Sequence, residues 1–229
     1  QMIPGNINTL TGIANWILSN FESNTQILIT EVDPYYIGEI KSACEIIPPD
    51  IAILTNIGDQ HLERLSSRKN LETALKEVFQ SAKSDAIKIQ GLKSNLDYAL
   101  LVAKVLKIPE DIVNDVAKNL KVPDRRGDIK IMNRFEVIDD SYNISETTAM
   151  FGIDNAVKLA RVKKKKLIVI TAGIPELGKE NKDGNKNLGK YLVKKADKVI
   201  LLKSVLCKDV LDSIAPLQND KVLLVKDLG

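Results

Sequence analysis

The sequence is poor in aromatic residues and in arginine, and it has no long apolar run. Aromatic side chains make up 4% of the 229 residues, and Lys outnumbers Arg by 27 to 6. Nucleic-acid surfaces rely on Arg forks and aromatic stacking, so this composition argues against nucleic acid as the main partner. A membrane-spanning helix needs about 20 consecutive apolar residues, and because no run approaches that length, we expect no membrane span.

Cysteine is also scarce. Cys44 and Cys207 lie far apart with no CxxC spacing, which predicts reduced thiols and a cytoplasmic protein. The sequence begins at Gln1 rather than Met and shows no signal-peptide pattern, so either residues have been removed or the chain is a fragment. Hydrophobic residues nevertheless make up 44% of the chain, which is enough for the cores of two small domains.

The first half of the sequence alternates short β-branched runs with amphipathic segments. The β-branched runs predict buried parallel strands at Ile27–Val32 and Ile51–Ile57. The amphipathic segments predict helices around Asn70–Ala82, Asn95–Lys107 and Glu110–Leu120. The Pro-containing stretch Val122–Gly127 (VPDRRG) interrupts this pattern and is the predicted domain boundary.

The second half repeats the alternation of strands and helices. The predicted elements are strands at Phe135–Asp139, Leu167–Thr171, Val199–Leu202 and Val222–Val225, and helices at Glu146–Arg161 and Lys186–Lys195. Such alternation is typical of parallel βαβ units, so we predict an α/β fold with an open twisted sheet. Ligands of such sheets bind beyond the carboxyl ends of the strands.

A phosphate-loop pattern, GxxxxGK, occurs at Gly173–Lys179 after a predicted strand. A true phosphate loop continues with Ser or Thr to hold magnesium, but the next residue is Glu180, whose carboxylate would repel phosphate. Pro175 also removes one backbone amide that would bind the anion. We therefore interpret the segment as a strand-to-helix loop, with a nucleotide-binding loop as the alternative.

Two further groups of polar residues follow predicted strands. Glu31 ends one strand and His61, the single histidine, follows the next, so the pair could share a divalent cation, although a lone His is more often structural. The stretch Val137–Asn143 (VIDDSYN) places two acids, Tyr142 and Asn143 at another strand end. Asp140 or Asn143 could simply cap the next helix, whereas a carboxylate with a Tyr suits a ribose and a base.

Taken together, these motifs resemble the Mur ligase family in order and spacing. They are NINTLTG (residues 6–12), ITEVDPYYIGEI (29–40), PPDIAILTNIGDQHLE (48–63), VPDRR (122–126), VIDDSYN (137–143) and GIPELG (173–178). The GEI, TNI, HLE, DDSYN and ELG pieces are most similar to the branch that adds D-alanyl-D-alanine to the cell-wall precursor, the MurF type.

The resemblance implies a central ATP-binding domain at residues 1–120 and a Rossmann-like carboxyl-terminal domain at 121–229. It implies ATP-dependent amide-bond formation through an acyl phosphate, with Mg²⁺ as cofactor and a carboxylate-bearing wall precursor and an amino acid or dipeptide as substrates. Because nucleotide contacts would come from both domains, it also implies domain closure over ATP. The implied roles are metal binding by Glu31 and His61, adenine binding by Asn95, phosphate contact by Arg125, ribose contact by Asp139, and positions beside the nucleotide for Tyr142 and Asn143.

The sequence also departs from the family pattern. The family's phosphate loop and sugar-binding domain would precede Gln1, which predicts a missing amino-terminal part supplied in cis or in trans. The family's carbamylated lysine falls on Leu75, with Lys76 beside it, and a His common after ELG is replaced by Asn185. The alternative function is therefore a non-catalytic Mur-like protein that serves as a partner or regulatory subunit of a wall-synthesis complex.

Overall fold

The computed structural model describes residues 1–58, 61–121, 123–214 and 219–225. Asp59 and Gln60 of the HLE motif region, and Val122 of the VPDRR motif, lie outside the described residues. The chain divides into two compact units, the first formed by residues 1–57 and 64–119 and the second by residues 58–63 and 120–229. The loop that carries His61 therefore belongs to the second unit, although the strand before it belongs to the first.

The first unit combines helices with a small parallel sheet. Its elements are α1 (Leu10–Asn20), α2 (Glu39–Ile46), β1 (Ile51–Leu54), α4 (Arg68–Gln80), β2 (Ile87–Gln90), α5 (Asn95–Val105) and α6 (Glu110–Asn119), while α3 (Leu62–Leu65) crosses the unit boundary. β1 pairs in parallel with β2 from Ile51 and Ile87 onward. The predicted helices at residues 70–82, 95–107 and 110–120 are confirmed, with ends that differ by one or two residues.

The core of the first unit lies between α2, β1 and α4. It is formed by Ile40, Cys44, Ala52, Leu54 and Val78. Gly38, at the amino end of α2, has no side chain with which to cap the helix, and the buried Glu77 supplies the cap from α4. Its carboxylate accepts the backbone N–H groups of Gly38 at 2.7 Å and Lys41 at 3.1 Å, which satisfies two donors at a helix start.

The prediction of a buried strand at Ile27–Val32 is wrong. Only an isolated parallel bridge forms, between Met2 and Ile29, and the Ile27 and Ile29 side chains are 42% and 56% exposed. The pairing consists of the amino group of Gln1 donating to the Ile27 carbonyl, the Ile29 N–H donating to the Gln1 carbonyl and the Ile3 N–H donating to the Ile29 carbonyl. The strand predicted at Ile51–Ile57 is confirmed in part, since β1 ends at Leu54.

The second unit has a hairpin and a parallel three-stranded sheet. Its elements are β3 (Asp128–Met132), β4 (Phe135–Asp139), α7 (Glu146–Val162), β5 (Ile168–Thr171), α8 (Asn181–Lys195), β6 (Lys198–Leu202), α9 (Cys207–Ile214) and β7 (Val222–Val225). The sheet order is β5-β6-β7, with both pairs parallel. The predicted α/β fold is confirmed.

The prediction that β4 joins a parallel sheet is wrong. β4 pairs antiparallel with β3, a strand that the sequence analysis did not identify. Only Asn133 and Arg134 separate the two strands, and a two-residue connection permits antiparallel pairing alone. Asn133 has a φ of 54°, a left-handed conformation that Asn tolerates and tight hairpin turns require. The hairpin fixes Asp139 at the carboxyl end of β4.

The core of the second unit lies between its parallel sheet and the helices α7, α8 and α9. Its fully buried members include Ile174, Leu188, Leu192, Val199, Leu201 and Val210. α8 and α9 approach closely at Gly189, where an added Cβ would meet Ser213 Oγ and, at 2.6 Å, the carbonyl oxygen of Val210. Glycine is therefore required at this helix crossing. Both Cys44 and Cys207 are buried free thiols, as predicted.

Candidate functional site

Asp139, at the end of β4, is held by partners on both carboxylate oxygens. Its Oδ1 accepts hydrogen bonds from the Ser141 hydroxyl at 2.7 Å and the Ser141 backbone N–H at 3.2 Å. Its Oδ2 accepts one from Lys130 Nζ at 3.1 Å. The Ser141 hydroxyl, followed by Lys130, holds the pKa of the Asp139 carboxyl below its ordinary value. Asp139 is thus fixed as an oriented acceptor.

Lys130, on β3, is surrounded by three carboxylates of the same unit. Its Nζ lies 2.7 Å from Asp124, 3.1 Å from Asp128 and 3.1 Å from Asp139. These hydrogen bonds, the Asp124 one being the strongest, raise the pKa of Lys130. The lysine thereby ties the loop that precedes β3 to the carboxyl end of β4.

Arg125 and Tyr142 lie in the same cluster. The backbone N–H of Arg125 donates to Asp128 Oδ1 at 2.6 Å, and its carbonyl accepts the N–H of Tyr142 at 3.0 Å. The guanidinium carbons of Arg125 and Arg126 lie 5.8 Å and 4.3 Å from the centroid of the Tyr142 ring, within cation–π range. The structure therefore brings together three of the predicted residues, Arg125, Asp139 and Tyr142, and adds Arg126.

Neither Asp140 nor Asn143 caps the following helix. The cap of α7 is Ser145, which forms a capping box with Thr148. Asn143 is exposed and its Oδ1 accepts the N–H of Ile144 at 2.9 Å. Asp140 faces α7 at Gly152, and burial, followed by the charge of Asp139, raises the pKa of its carboxyl.

Glu31 lies in the first unit, beside the segment that carries the NINT motif. Its Oε1 accepts a hydrogen bond from Asn8 Nδ2 at 3.3 Å, and a Cβ at Gly5 would approach Oε2 to 3.3 Å. The side chain is otherwise exposed to solvent. A carboxylate in such a position is an oxygen ligand of the kind that Mg²⁺ prefers.

His61 belongs to the second unit and is only 7% exposed. Its Nδ1 lies 2.8 Å from Oε2 of Glu176 in the ELG motif. Across the described ranges of both units, no group of three or more His, Cys, Asp or Glu residues is arranged to hold a metal ion. The metal-binding role of Glu31 and His61 remains a prediction.

Asn95 is the first residue of α5 and is exposed. It follows the capping residue Ser94, at the end of the loop after β2, so it lies beyond the carboxyl end of a parallel strand.

Leu75 packs against the core of the first unit, whereas Lys76 is half exposed and pairs with Glu72 at 3.7 Å. The orientation of α4 therefore keeps Lys76 away from the core.

The GxxxxGK segment forms a strand-to-helix loop, as interpreted from the sequence. The N–H of Gly173 donates to Thr171 Oγ1 at 3.1 Å, and the N–H of Ile174 donates to Asn185 Oδ1 at 2.8 Å. Because these amides are already bound internally, they do not form a phosphate cradle. Lys179, the last residue of the pattern, is exposed.

Sequence reasoning missed several residues that shape these sites. Lys130 and Ser141 hold Asp139, and Glu176 contacts His61. The ELG motif was recognised as a family signature, yet only the fold reveals that its glutamate reaches a residue 115 positions away.

Among the described residues, no helix is long and apolar enough to cross a membrane.

The chain is similar in sequence to known ligases. Residues 2–157 match the Mur ligase middle domain. The UDP-N-acetylmuramoyl-tripeptide–D-alanyl-D-alanine ligase of Bacillus subtilis is 34% identical over 85 residues, which cover 37% of this chain and 18% of that enzyme. The enzyme of the same name from Mycobacterium tuberculosis strain H37Rv is 27% identical over 116 residues, covering 49% of this chain and 22% of that enzyme.

Solved structures of the same type share the fold. The MurF ligase from Thermotoga maritima, in complex with ADP, has a TM-score of 0.81 at 20% identity, covering 99% of this chain and 64% of that one. MurF from Acinetobacter baumannii also has a TM-score of 0.81, at 15% identity, covering 98% of this chain and 61% of that one. The chain thus spans less than two thirds of these relatives. These matches confirm the resemblance to the MurF-type branch, and the family match over residues 2–157 shows that the chain belongs to the Mur ligase family.

Proposed function

We propose that this chain provides the ATP site of a cytoplasmic ligase that forms an amide bond in the synthesis of cell-wall peptide precursors. The observation that carries the proposal is the cluster at the end of β4. There an ionised carboxylate at Asp139, the guanidinium of Arg125 and the ring of Tyr142 converge within one unit of a Mur ligase family member. The first unit would be the central ATP-binding domain and the second the carboxyl-terminal Rossmann-like domain.

Each residue of the cluster suits one part of a nucleotide. Asp139 is an oriented acceptor for ribose hydroxyls, because Ser141 and Lys130 hold its carboxylate in place. Arg125 would attract the phosphates. Tyr142, 44% exposed, offers a ring face beside the nucleotide, with Asn143 next to it. Asn95, beyond β2, is proposed to bind the adenine.

The cofactor would be Mg²⁺, which fits the donor chemistry of Glu31. Magnesium usually binds through one or two carboxylates together with substrate phosphates and water, so a single exposed carboxylate is an appropriate protein ligand. His61 would be the second ligand. When bound, the ion would offset negative charge on the phosphates.

The proposed reaction has two steps. An oxygen of the substrate carboxylate attacks the γ-phosphorus of ATP, which forms an acyl phosphate and releases ADP. The amine of the second substrate then attacks the acyl carbon, and inorganic phosphate leaves as the amide forms. The relatives' names indicate a UDP-N-acetylmuramoyl-tripeptide as the carboxylate substrate and D-alanyl-D-alanine as the amine. A further part of the enzyme, in cis or in trans, would complete the site.

One observation favours the alternative function, a non-catalytic Mur-like partner or regulatory subunit. Leu75 occupies the position where the resemblance places a metal-bridging lysine, and it packs against the core of the first unit. An apolar side chain there contributes packing and no charge. Such a protein would retain the fold without forming the acyl phosphate.

A calorimetric titration of the chain with ATP, with and without Mg²⁺, tests the proposal. We expect binding that requires magnesium and that Glu31→Ala weakens about tenfold or more, since a ligand to the ion is lost. Glu45→Ala, at an exposed glutamate of α2, serves as the matched control and should bind like the wild type. A folded chain that binds ATP equally well without magnesium would contradict the metal role of Glu31. Absence of any binding would favour the non-catalytic alternative.

A further inference from the structure

Tyr98, on α5, is a buried residue whose hydroxyl joins two backbone segments of the first unit. The side chain is 4% exposed. Its hydroxyl donates to the carbonyl oxygen of Leu54 at 3.1 Å and accepts the backbone N–H of Leu92 at 3.2 Å. A tyrosine hydroxyl has a single proton to donate, so its donor function is fully used inside the protein. We call this pair of hydrogen bonds the Tyr98 bridge.

The two partners of the Tyr98 bridge lie at the carboxyl ends of neighbouring strands. Leu54 is the last residue of β1 and pairs with Gln90, the last residue of β2. Gly91 follows with a φ of 77°, a left-handed conformation that turns the chain and that glycine adopts without steric cost. The hydroxyl therefore connects the two strand ends at the point where their direct pairing stops. Ligands of parallel α/β sheets bind at this edge.

The first turn of α5 is closed by its own residues. The Ser94 hydroxyl accepts the N–H of Asp97 at 3.2 Å, and the Asp97 carboxylate accepts the N–H of Ser94 at 2.9 Å. The N–H of Tyr98 donates to the Ser94 carbonyl oxygen at 3.3 Å. This capping box makes the turn a defined unit, and the Tyr98 bridge attaches that unit to the sheet.

Asn95 lies within this closed turn. It is the first residue of α5, and its side chain is exposed. Residues three apart on a helix are neighbours on its surface, so Asn95 and Tyr98 lie side by side, one facing solvent and the other buried. The place of the Asn95 amide is consequently set by the backbone of the turn, which the Tyr98 bridge holds.

We propose that Tyr98 is a positioning residue for Asn95: its hydroxyl fixes the first turn of α5 to the ends of β1 and β2, so that the Asn95 amide is held in one place for recognition of a nucleobase. The proposal rests on the proposed function for the identity of that base, adenine. A side-chain amide offers one acceptor and two donors, which match the 6-amino group and N7 of adenine. Hypoxanthine carries an oxygen in place of that amino group and does not offer the donor.

The first measurement is amide hydrogen exchange in the chain without nucleotide. Tyr98→Phe keeps the ring and removes only the hydroxyl, so the Leu92 N–H loses its acceptor and should exchange about tenfold faster or more. Leu71, a buried residue of α4 whose N–H donates to the Ser67 carbonyl oxygen, is the reference amide and should keep its rate. Unchanged exchange at Leu92 would overturn the proposal. Acceleration of both amides by the same factor would also overturn it, because it would indicate a general loss of stability.

The second measurement is base selection, compared by titration with ATP and with inosine triphosphate in the presence of Mg²⁺. The wild type should prefer ATP by about tenfold or more, because the analogue lacks the amino group. Tyr98→Phe should lower this preference about threefold or more, since an amide on a loosened turn must be ordered when the base binds. A merely structural loss would weaken both nucleotides equally. An unchanged ratio of affinities would therefore refute the positioning role.

Tyr191→Phe is the matched control for loss of a hydroxyl. Tyr191 is a partly buried residue of α8 in the second unit, and its hydroxyl is hydrogen-bonded to Asp154. This substitution should leave both the exchange of Leu92 and the preference for ATP unchanged. A Tyr191→Phe variant that reproduced both effects of Tyr98→Phe would contradict a specific role for Tyr98.

A double substitution shows whether Tyr98 acts through Asn95. Asn95→Ala alone should abolish the preference for ATP, and adding Tyr98→Phe should lower it no further. A further loss in the double variant would contradict the proposal. A wild type in which Tyr98 protects Leu92 but ATP and inosine triphosphate bind equally would support the Tyr98 bridge. That result would instead contradict adenine binding by Asn95, which belongs to the proposed function.

Discussion

The side chain of Asn185 binds both polar backbone atoms of Ile174, accepting its N–H at Oδ1 over 2.8 Å and donating from Nδ2 to its carbonyl over 3.0 Å. Ile174 and Asn185 are both completely buried. Asn185→Ala would leave two buried backbone groups without partners, each at a cost of about 1 to 3 kcal/mol. We expect the free energy of unfolding, measured by urea denaturation, to fall by about 2 to 5 kcal/mol.

Asn187→Ala is the control for this change. Asn187 is an exposed residue of the same helix, α8, and its amide donates to Glu146 at 3.2 Å. Exposed substitutions of this kind usually change stability by about 0.5 kcal/mol or less. Equal losses in the two variants would show that Asn185 does not anchor the ELG loop.

Gly189 and Gly152 provide a matched pair of helix glycines with opposite expectations. An alanine at Gly189 would press into the carbonyl oxygen of Val210 on α9, so we expect Gly189→Ala to lower stability by about 1 to 3 kcal/mol. An alanine at Gly152 meets only the carboxylate end of Asp140, at 2.8 Å, which can rotate away. Alanine is favoured over glycine in a helix by about 1 kcal/mol, so Gly152→Ala should be neutral or stabilising. Thermal unfolding of both variants gives the comparison, and a destabilised Gly152→Ala would contradict it.

The pKa of the Asp139 carboxyl should depend on both Ser141 and Lys130. Both partners lower its pKa, so Ser141→Ala and Lys130→Gln should each raise that pKa toward the ordinary value. A carboxyl whose pKa is lowered by folding stabilises the native state above its unfolded pKa, and that contribution is lost as the pH falls through the folded pKa. A ¹³C titration of the side-chain carboxyl measures both changes, and an unchanged pKa in both variants would contradict this expectation. Lys163→Gln, which removes a partner of Glu136 instead, should leave Asp139 unchanged.

The secondary structure was predictable where periodicity is local. The helices α4, α5 and α7 and the strands β4 and β7 follow from hydrophobic spacing within each segment. The strand prediction at Ile27–Val32 failed because its pairing depends on Met2, more than 20 residues earlier, and reaches only a single bridge. β3 was missed although Asp128–Met132 alternates polar and apolar residues as a strand does, and its pairing with β4 appears only in the fold.

The candidate site was predictable only for residues that carry a motif. Arg125, Asp139 and Tyr142 belong to family signatures, and the fold brings them together. Glu176 belongs to a family signature, but its role could not be predicted from the sequence because its contact with His61 is created by tertiary structure. Lys130 belongs to no family signature, and nothing in its local sequence distinguishes it from the rest of the 27 lysines.

The most direct test of the account compares two substitutions in one ATP titration in the presence of Mg²⁺. If the nucleotide binds at the end of β4, Asp139→Ala should weaken binding about tenfold or more, because a charged acceptor for the ribose is lost. Lys179→Ala, in the loop that imitates a phosphate site, should bind ATP like the wild type. The reverse outcome, with affinity lost in Lys179→Ala and kept in Asp139→Ala, would contradict the Mur-type nucleotide site.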